Sequence, residues 1–215
     1  MWSSRRALAA IALASLCVAG AAQAAAPVDA VDVAAPAVSP DAAEVARWVL
    51  ATRDNQGLPF AIVDKRQAAL FLYAPRGRLV AASTVLLGMA RGDESAPGVG
   101  ALAPARIPVA ERTTPAGRFL TEPGVNLSGE EVVWFDYDAG LAIHRLRPDA
   151  AYRARAQRMA SGAPDDNRVS AGCVVVPVAF FENVVQPLLG RHRGVVYVLP
   201  ETRSARQVFM RADDL

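Results

Sequence analysis

From residue 59 onward, apolar residues gather in short runs bounded by turn formers. The runs cover 59–63, 69–73, 79–87, 132–137, 141–146 and 194–199. Each has the length of a strand, and Pro75-Arg76-Gly77 and Asp138-Ala139-Gly140 provide the turn chemistry of hairpins. Strands following one another without intervening helices predict a mainly antiparallel sheet fold. One run follows a helical period instead. Between Pro177 and Gly190, the residues Phe181, Val184, Val185, Leu188 and Leu189 share a face, which predicts a helix over 177–189 that starts at a proline and stops at a glycine. A second, shorter amphipathic helix is expected over 41–56, with Val45, Trp48, Val49 and Ala51 turned towards the edge of the domain. The fold class is therefore mainly β with one or two helices, built as one compact domain over 57–200 and followed by a C-terminal tail, 201–215.

The first 40 residues follow neither pattern. Arg5 and Arg6 precede an apolar stretch over 7–20, and Ala22-Gln23-Ala24 supplies small residues at the positions a signal peptidase reads. Residues 1–24 are thus expected to be a secretory signal peptide, too short in its apolar part for a lasting membrane anchor. Lipid attachment at Cys17 is disfavoured because Leu16 precedes it. Residues 25–40, rich in Ala, Pro and Val, read as a flexible leader. The expected product is exported and extracytoplasmic, with no integral membrane segment after cleavage.

Export changes the charge and cysteine counts. The chain holds 23 basic and 21 acidic residues, and loss of Arg5 and Arg6 brings the two to parity. Nothing in that balance calls for nucleic acid or an anionic membrane as partner. Cys173 remains as the only cysteine beyond the signal, so it has no internal disulfide partner in an oxidising compartment. With two histidines in the whole chain there is no ligand set for a metal, and no glycine-rich phosphate loop occurs. No cofactor is expected.

Cys173 lies in the segment NRVSAGCVVVP, residues 167–177. A strand-like approach ends at Ser170-Ala171-Gly172, and the 177–189 helix follows closely, so that its N-terminal potential would favour a thiolate if near enough. Main-chain N–H groups of Gly172 and Cys173 are candidate donors to a developing oxyanion. A thiol nucleophile needs a base, and the choice is between His144 and His192. His144 interrupts the apolar alternation of LAIHRL, whereas His192 sits in an Arg-rich turn, which makes His144 the better candidate.

These residues resemble the signature of the L,D-transpeptidase catalytic domain: a histidine followed later by Ser/Thr-His-Gly-Cys-x-Asn/Arg. Here His144 precedes Ser170-Ala171-Gly172-Cys173-Val174-Val175. The segments AIVDK (61–65), LLGMARGD (86–93) and ERTTPAGRF (111–119) are also similar to that family, and the likeness extends over 59–200. It implies a β-sandwich with the cysteine in a loop leading into a helix. It further implies acyl transfer through Cys173 on peptidoglycan stem peptides, with His144 as base and Ser170 supporting the motif. Two positions depart from the pattern, Ala171 for the second histidine and Val175 for Asn or Arg. The interval after His144 is also longer, with Arg147, Arg153, Arg155, Arg158 and Arg168 between it and the cysteine motif. These arginines are read as a solvated surface. The departures motivate an alternative, a non-catalytic relative that binds cell-wall peptide or a protein partner.

Overall fold

The computed structural model describes residues 35–210. The expected signal peptide, most of the leader and residues 211–215 lie outside them. Helix α1, Pro40–Thr52, begins where Ser39 accepts a hydrogen bond from the Ala42 N–H at 3.1 Å and Pro40 supplies a fixed φ. It turns Ala42, Val45, Ala46 and Val49 inward. It stops short of residue 56 because Arg53, Gln56 and Gly57 all take left-handed backbone angles.

Three strands hold the centre. β1 (Phe60–Asp64) and β2 (Ala69–Tyr73) form a hairpin whose turn is closed by Asp64, which accepts from the N–H groups of Arg66 at 3.0 Å and Gln67 at 3.1 Å. β11 (Val195–Val198) lies parallel to β1. Every residue of the three is buried, as unbroken apolar runs require of strands covered on both faces. β3 (Leu79–Thr84) and β5 (Gly117–Leu120) complete a five-stranded sheet of order β3-β2-β1-β11-β5.

One face of this sheet lies under α1 and a C-terminal helix, Ala205–Phe209, in a cluster that includes Val45, Phe60, Phe71, Tyr197 and Phe209. The opposite face packs Ala61, Val63 and Leu70 against Val133, Ile143, Val174 and Phe181. Those partners belong to a second sheet, of order β10-β8-β7-β6, and to the helix over 178–189. Its strands are β6 (Glu122–Val125), β7 (Glu131–Asp136), β8 (Leu141–Arg145) and β10 (Val174–Val176). The molecule is thus mainly β, two sheets face to face, with the 178–189 helix contributing to the core between them.

Several boundaries differ from the sequence pattern. The run 79–87 is divided: β3 ends at Thr84, and Leu86 exchanges both backbone hydrogen bonds with Val175, at 2.9 Å each, before β4 (Leu87–Gly88) pairs with β9 (Arg168–Ser170). Apolar continuity hides such a change of partner. β5 and β6 carry Gly, Pro and charge and gave no strand signal. The sheets are mixed, since β1–β11 and β8–β10 are parallel. The tail is part of the domain as far as residue 210: Ser204 and Gln207 form a capping box, and Ala205 and Phe209 are buried. The 178–189 helix widens to a π turn at Phe181–Val185, ahead of Pro187, which lacks an N–H and crowds the preceding turn.

Candidate active site

The cysteine immediately precedes β10, and the histidine lies on β8, the strand beside it. In the parallel register of β8 and β10, Val174 lies beside Ile143 and Val175 beside His144. Alternation sends Ile143, Val174 and Val176 into the core between the sheets and puts His144 and Val175 on the other face. Continuing the register by one residue sets Cys173 beside Ala142. Strand spacing and rise then separate the Cα atoms of Cys173 and His144 by roughly 8 Å.

The loop before β10 is tightly tied. Ser170 Oγ donates to the Cys173 carbonyl at 2.6 Å and accepts from the Gly172 N–H at 3.1 Å. The Gly172 carbonyl accepts from Thr114 Oγ1 at 2.8 Å. Gly172 has φ +130°, and a Cβ there would lie 2.7 Å from the Thr113 carbonyl oxygen and 2.8 Å from Leu141 Cδ2. Only glycine fits both the dihedral and the space. With the Gly172 N–H committed to Ser170, the N–H groups of Ala171 and Cys173 are the ones in this loop that meet no acceptor among the described residues.

Cys173 is half-buried, and its Sγ lies 3.9 Å from the Gly140 carbonyl oxygen. Burial pushes its thiol up, with the Ala142 N–H and the Arg147 charge opposing. The expected help from a helix N-terminus does not arrive. β10 intervenes, and the helix starts only at Val178, beyond the reach of its end charge. His144 Nδ1 lies 2.8 Å from the Arg145 carbonyl. A carbonyl only accepts, so Nδ1 carries the proton and Nε2 keeps its lone pair. Burial holds the imidazole below its ordinary value, against the pull of the Arg145 carbonyl. Thiol and imidazole are therefore both neutral at rest, and among the described residues no hydrogen bond joins them. His192 is exposed in the turn before β11.

The Arg-rich segment has a defined place. Its helix α2, Tyr152–Met159, lays Tyr152, Ala156 and Met159 on Leu86, Leu146 and Val175. Val175 is thereby buried in an apolar cluster, where the compared motif has a polar side chain. Arg155 binds Asp149 at 2.8 Å, Arg158 the Asp166 carbonyl at 2.6 Å, and Arg147 Glu130 at 3.1 Å. Arg168 turns inward to Glu201 at 2.5 Å and to the Lys65 carbonyl at 3.0 Å.

That contact belongs to a cluster the sequence did not reveal. Lys65, the single lysine of the chain, is 1% exposed. Its Nζ donates to Asp93 Oδ1 at 2.9 Å, to the Thr114 carbonyl at 2.9 Å and to the Gly92 carbonyl. Asp93 also accepts from the N–H groups of Glu201 at 2.8 Å and Thr202 at 3.0 Å. These bonds hold its carboxyl far below the usual range, although burial works the other way. The three segments 61–65, 86–93 and 111–119 meet here. A lone lysine closing an apolar strand was the available signal. No group of His, Cys, Asp and Glu among the described residues is arranged to hold a metal ion.

No family model matches the chain, and no curated protein matches it. Solved structures do. The chain is similar to the helical cell shape determining protein Pgp2 of Campylobacter jejuni, with 16% identity over 68% of this chain and 48% of that one, at a TM-score of 0.45. It is also similar to the catalytic domain of the E. faecium L,D-transpeptidase, with 19% identity over 66% of this chain and 96% of that domain, at a TM-score of 0.35. An L,D-transpeptidase from Xylanimonas cellulosilytica matches at 18% identity over 66% of this chain and 60% of that one, at a TM-score of 0.40. The chain spans about half the length of the Campylobacter protein.

Proposed function

We propose that this chain is an exported, extracytoplasmic cysteine acyltransferase that acts on peptidoglycan stem peptides, in the manner of an L,D-transpeptidase. The observation that carries the reading is the arrangement at the end of β8 and β10. A half-buried thiol lies beside an N–H without an acceptor among the described residues, just before the strand that runs next to a histidine whose free Nε2 is set by its own backbone. The motif resemblance of residues 144 and 170–173 supports it.

In this reading Cys173 Sγ attacks the carbonyl carbon of an L,D peptide bond while its proton passes to His144 Nε2. The resting sites are neutral, so the thiolate forms only as substrate closes the gap between them. The carbonyl electrons move to oxygen, and the oxyanion meets the Cys173 N–H. When the tetrahedral intermediate collapses, the C–N bond breaks and the departing D-amino acid takes the proton from His144. The thioester then passes to the side-chain amine of a second stem peptide, or to water, and the Cys173 thiol returns. Ser170 and Gly172 shape the loop without touching the reacting atoms.

A second reading, a binding module without turnover, is favoured by Val175, which lies under α2 where a polar group would face substrate. Incubation with a tetrapeptide-stem muropeptide separates the two. Loss of the terminal D-residue, absent in Cys173→Ala and strongly reduced in His144→Ala, supports the enzyme. Binding of the muropeptide without any change in its mass supports the module.

A further inference from the structure

Thr114 lies in the turn 111–119, is fully buried, and belongs to neither the thiol nor its base. Its hydroxyl and its carbonyl are both engaged. The hydroxyl accepts from the Gly88 N–H at 2.9 Å and donates to the Gly172 carbonyl at 2.8 Å, while its own carbonyl accepts from Lys65 Nζ at 2.9 Å. The hydroxyl hydrogen is thereby assigned, because Gly88 offers a donor and Gly172 an acceptor.

The Gly172–Cys173 peptide unit is planar and trans, so its carbonyl and its N–H point in opposite directions. Fastening the Gly172 oxygen to Thr114 therefore aims the Cys173 N–H away from the core. Gly172 itself cannot set that direction, since its left-handed angle is one that glycine leaves by many routes. We infer that Thr114 is a positioning residue: it fixes the Gly172–Cys173 peptide so that the Cys173 N–H stands ready for an oxyanion, and the Lys65 cluster anchors it. The orientation stands on the geometry alone; its use for an oxyanion rests on the acyl-transfer reading.

The test compares Thr114→Val, which keeps the shape and loses the hydroxyl, with Thr114→Ser, which keeps the hydroxyl. Two readouts are taken on the purified chain: amide hydrogen exchange at Gly172, Val174 and Val175, and the rate of acylation by a carbapenem. The hydroxyl makes two buried hydrogen bonds, and losing both is worth at least about a factor of ten, so in Thr114→Val these amides exchange about tenfold faster and acylation slows about tenfold, with Thr114→Ser close to wild type. A folded Thr114→Val with unchanged exchange overturns the proposal, as does a folded Thr114→Ser that loses protection; this second result decides the matter even if the valine variant does not fold. Unchanged acylation with faster exchange overturns the oxyanion role. If the wild type is not acylated at all, the acyl-transfer reading falls, and exchange alone decides whether Thr114 holds the loop.

Discussion

Around Lys65 every charge has a partner. The ammonium makes three hydrogen bonds, Asp93 receives two backbone N–H groups as well as the lysine, and Arg168 binds Glu201. Around Cys173 the polar groups are few and left open: a neutral thiol, an imidazole with a free Nε2, and an N–H with no acceptor among the described residues. Thr114 connects the two regions. The contrast teaches where rigidity comes from. A buried ion cluster gains little net free energy over an apolar one, but it fixes geometry, and a site with open donors depends on geometry held from elsewhere.

The largest break in this comparison should come from the saturated side. Lys65→Met takes the ammonium away from buried Asp93, and it should lower unfolding free energy by about 3–5 kcal/mol in a denaturant titration. Next comes Gly172→Ala, which adds a Cβ against the Thr113 carbonyl and forces an L residue to φ +130°. A loss of about 2–4 kcal/mol is expected by the same titration. Val175→Asn, which approaches the compared motif, puts an amide among Leu86, Leu146 and Met159 and should cost about 2 kcal/mol without raising activity. A gain of activity would mean that α2 moves away from Val175.

The smallest effect concerns pH. Burial holds His144 below its ordinary value, so the unfolded chain binds more protons than the folded one between the two values. Stability should therefore rise as pH climbs from the depressed folded value through about 6.5, and be fully present above it. His144→Gln should flatten that rise between pH 5 and 7.5 in parallel denaturation curves. A rise of the same slope in the variant would assign it to other groups.

What was legible in the sequence followed from local chemistry. The apolar runs at 69–73 and 141–146 gave strands because both faces or one full face of each are buried, and the helix over 178–189 followed its period. Gly172 was readable as a point of close approach, and the structure puts Thr113 and Leu141 there. Long-range partners were not readable. Nothing in LLGMARGD says that Asp93 meets Lys65, or that Leu86 leaves one sheet for Val175 in another. Nor does the Arg-rich composition of 147–168 show that Tyr152, Ala156 and Met159 form an apolar face over the position two beyond the cysteine. The resemblance implies a cysteine in a loop leading into a helix, but the burial of Val174, Val175 and Val176 makes them a strand that takes the helix end away from the thiol.

The proposed reaction makes Cys173 the acyl acceptor. Intact mass of the wild type and of Cys173→Ala after incubation with a carbapenem tests it most directly. If Cys173 takes the acyl group, the wild type gains one β-lactam, Cys173→Ala gains none, and addition to His144→Ala is slower. A folded wild type that stays at its own mass would contradict it.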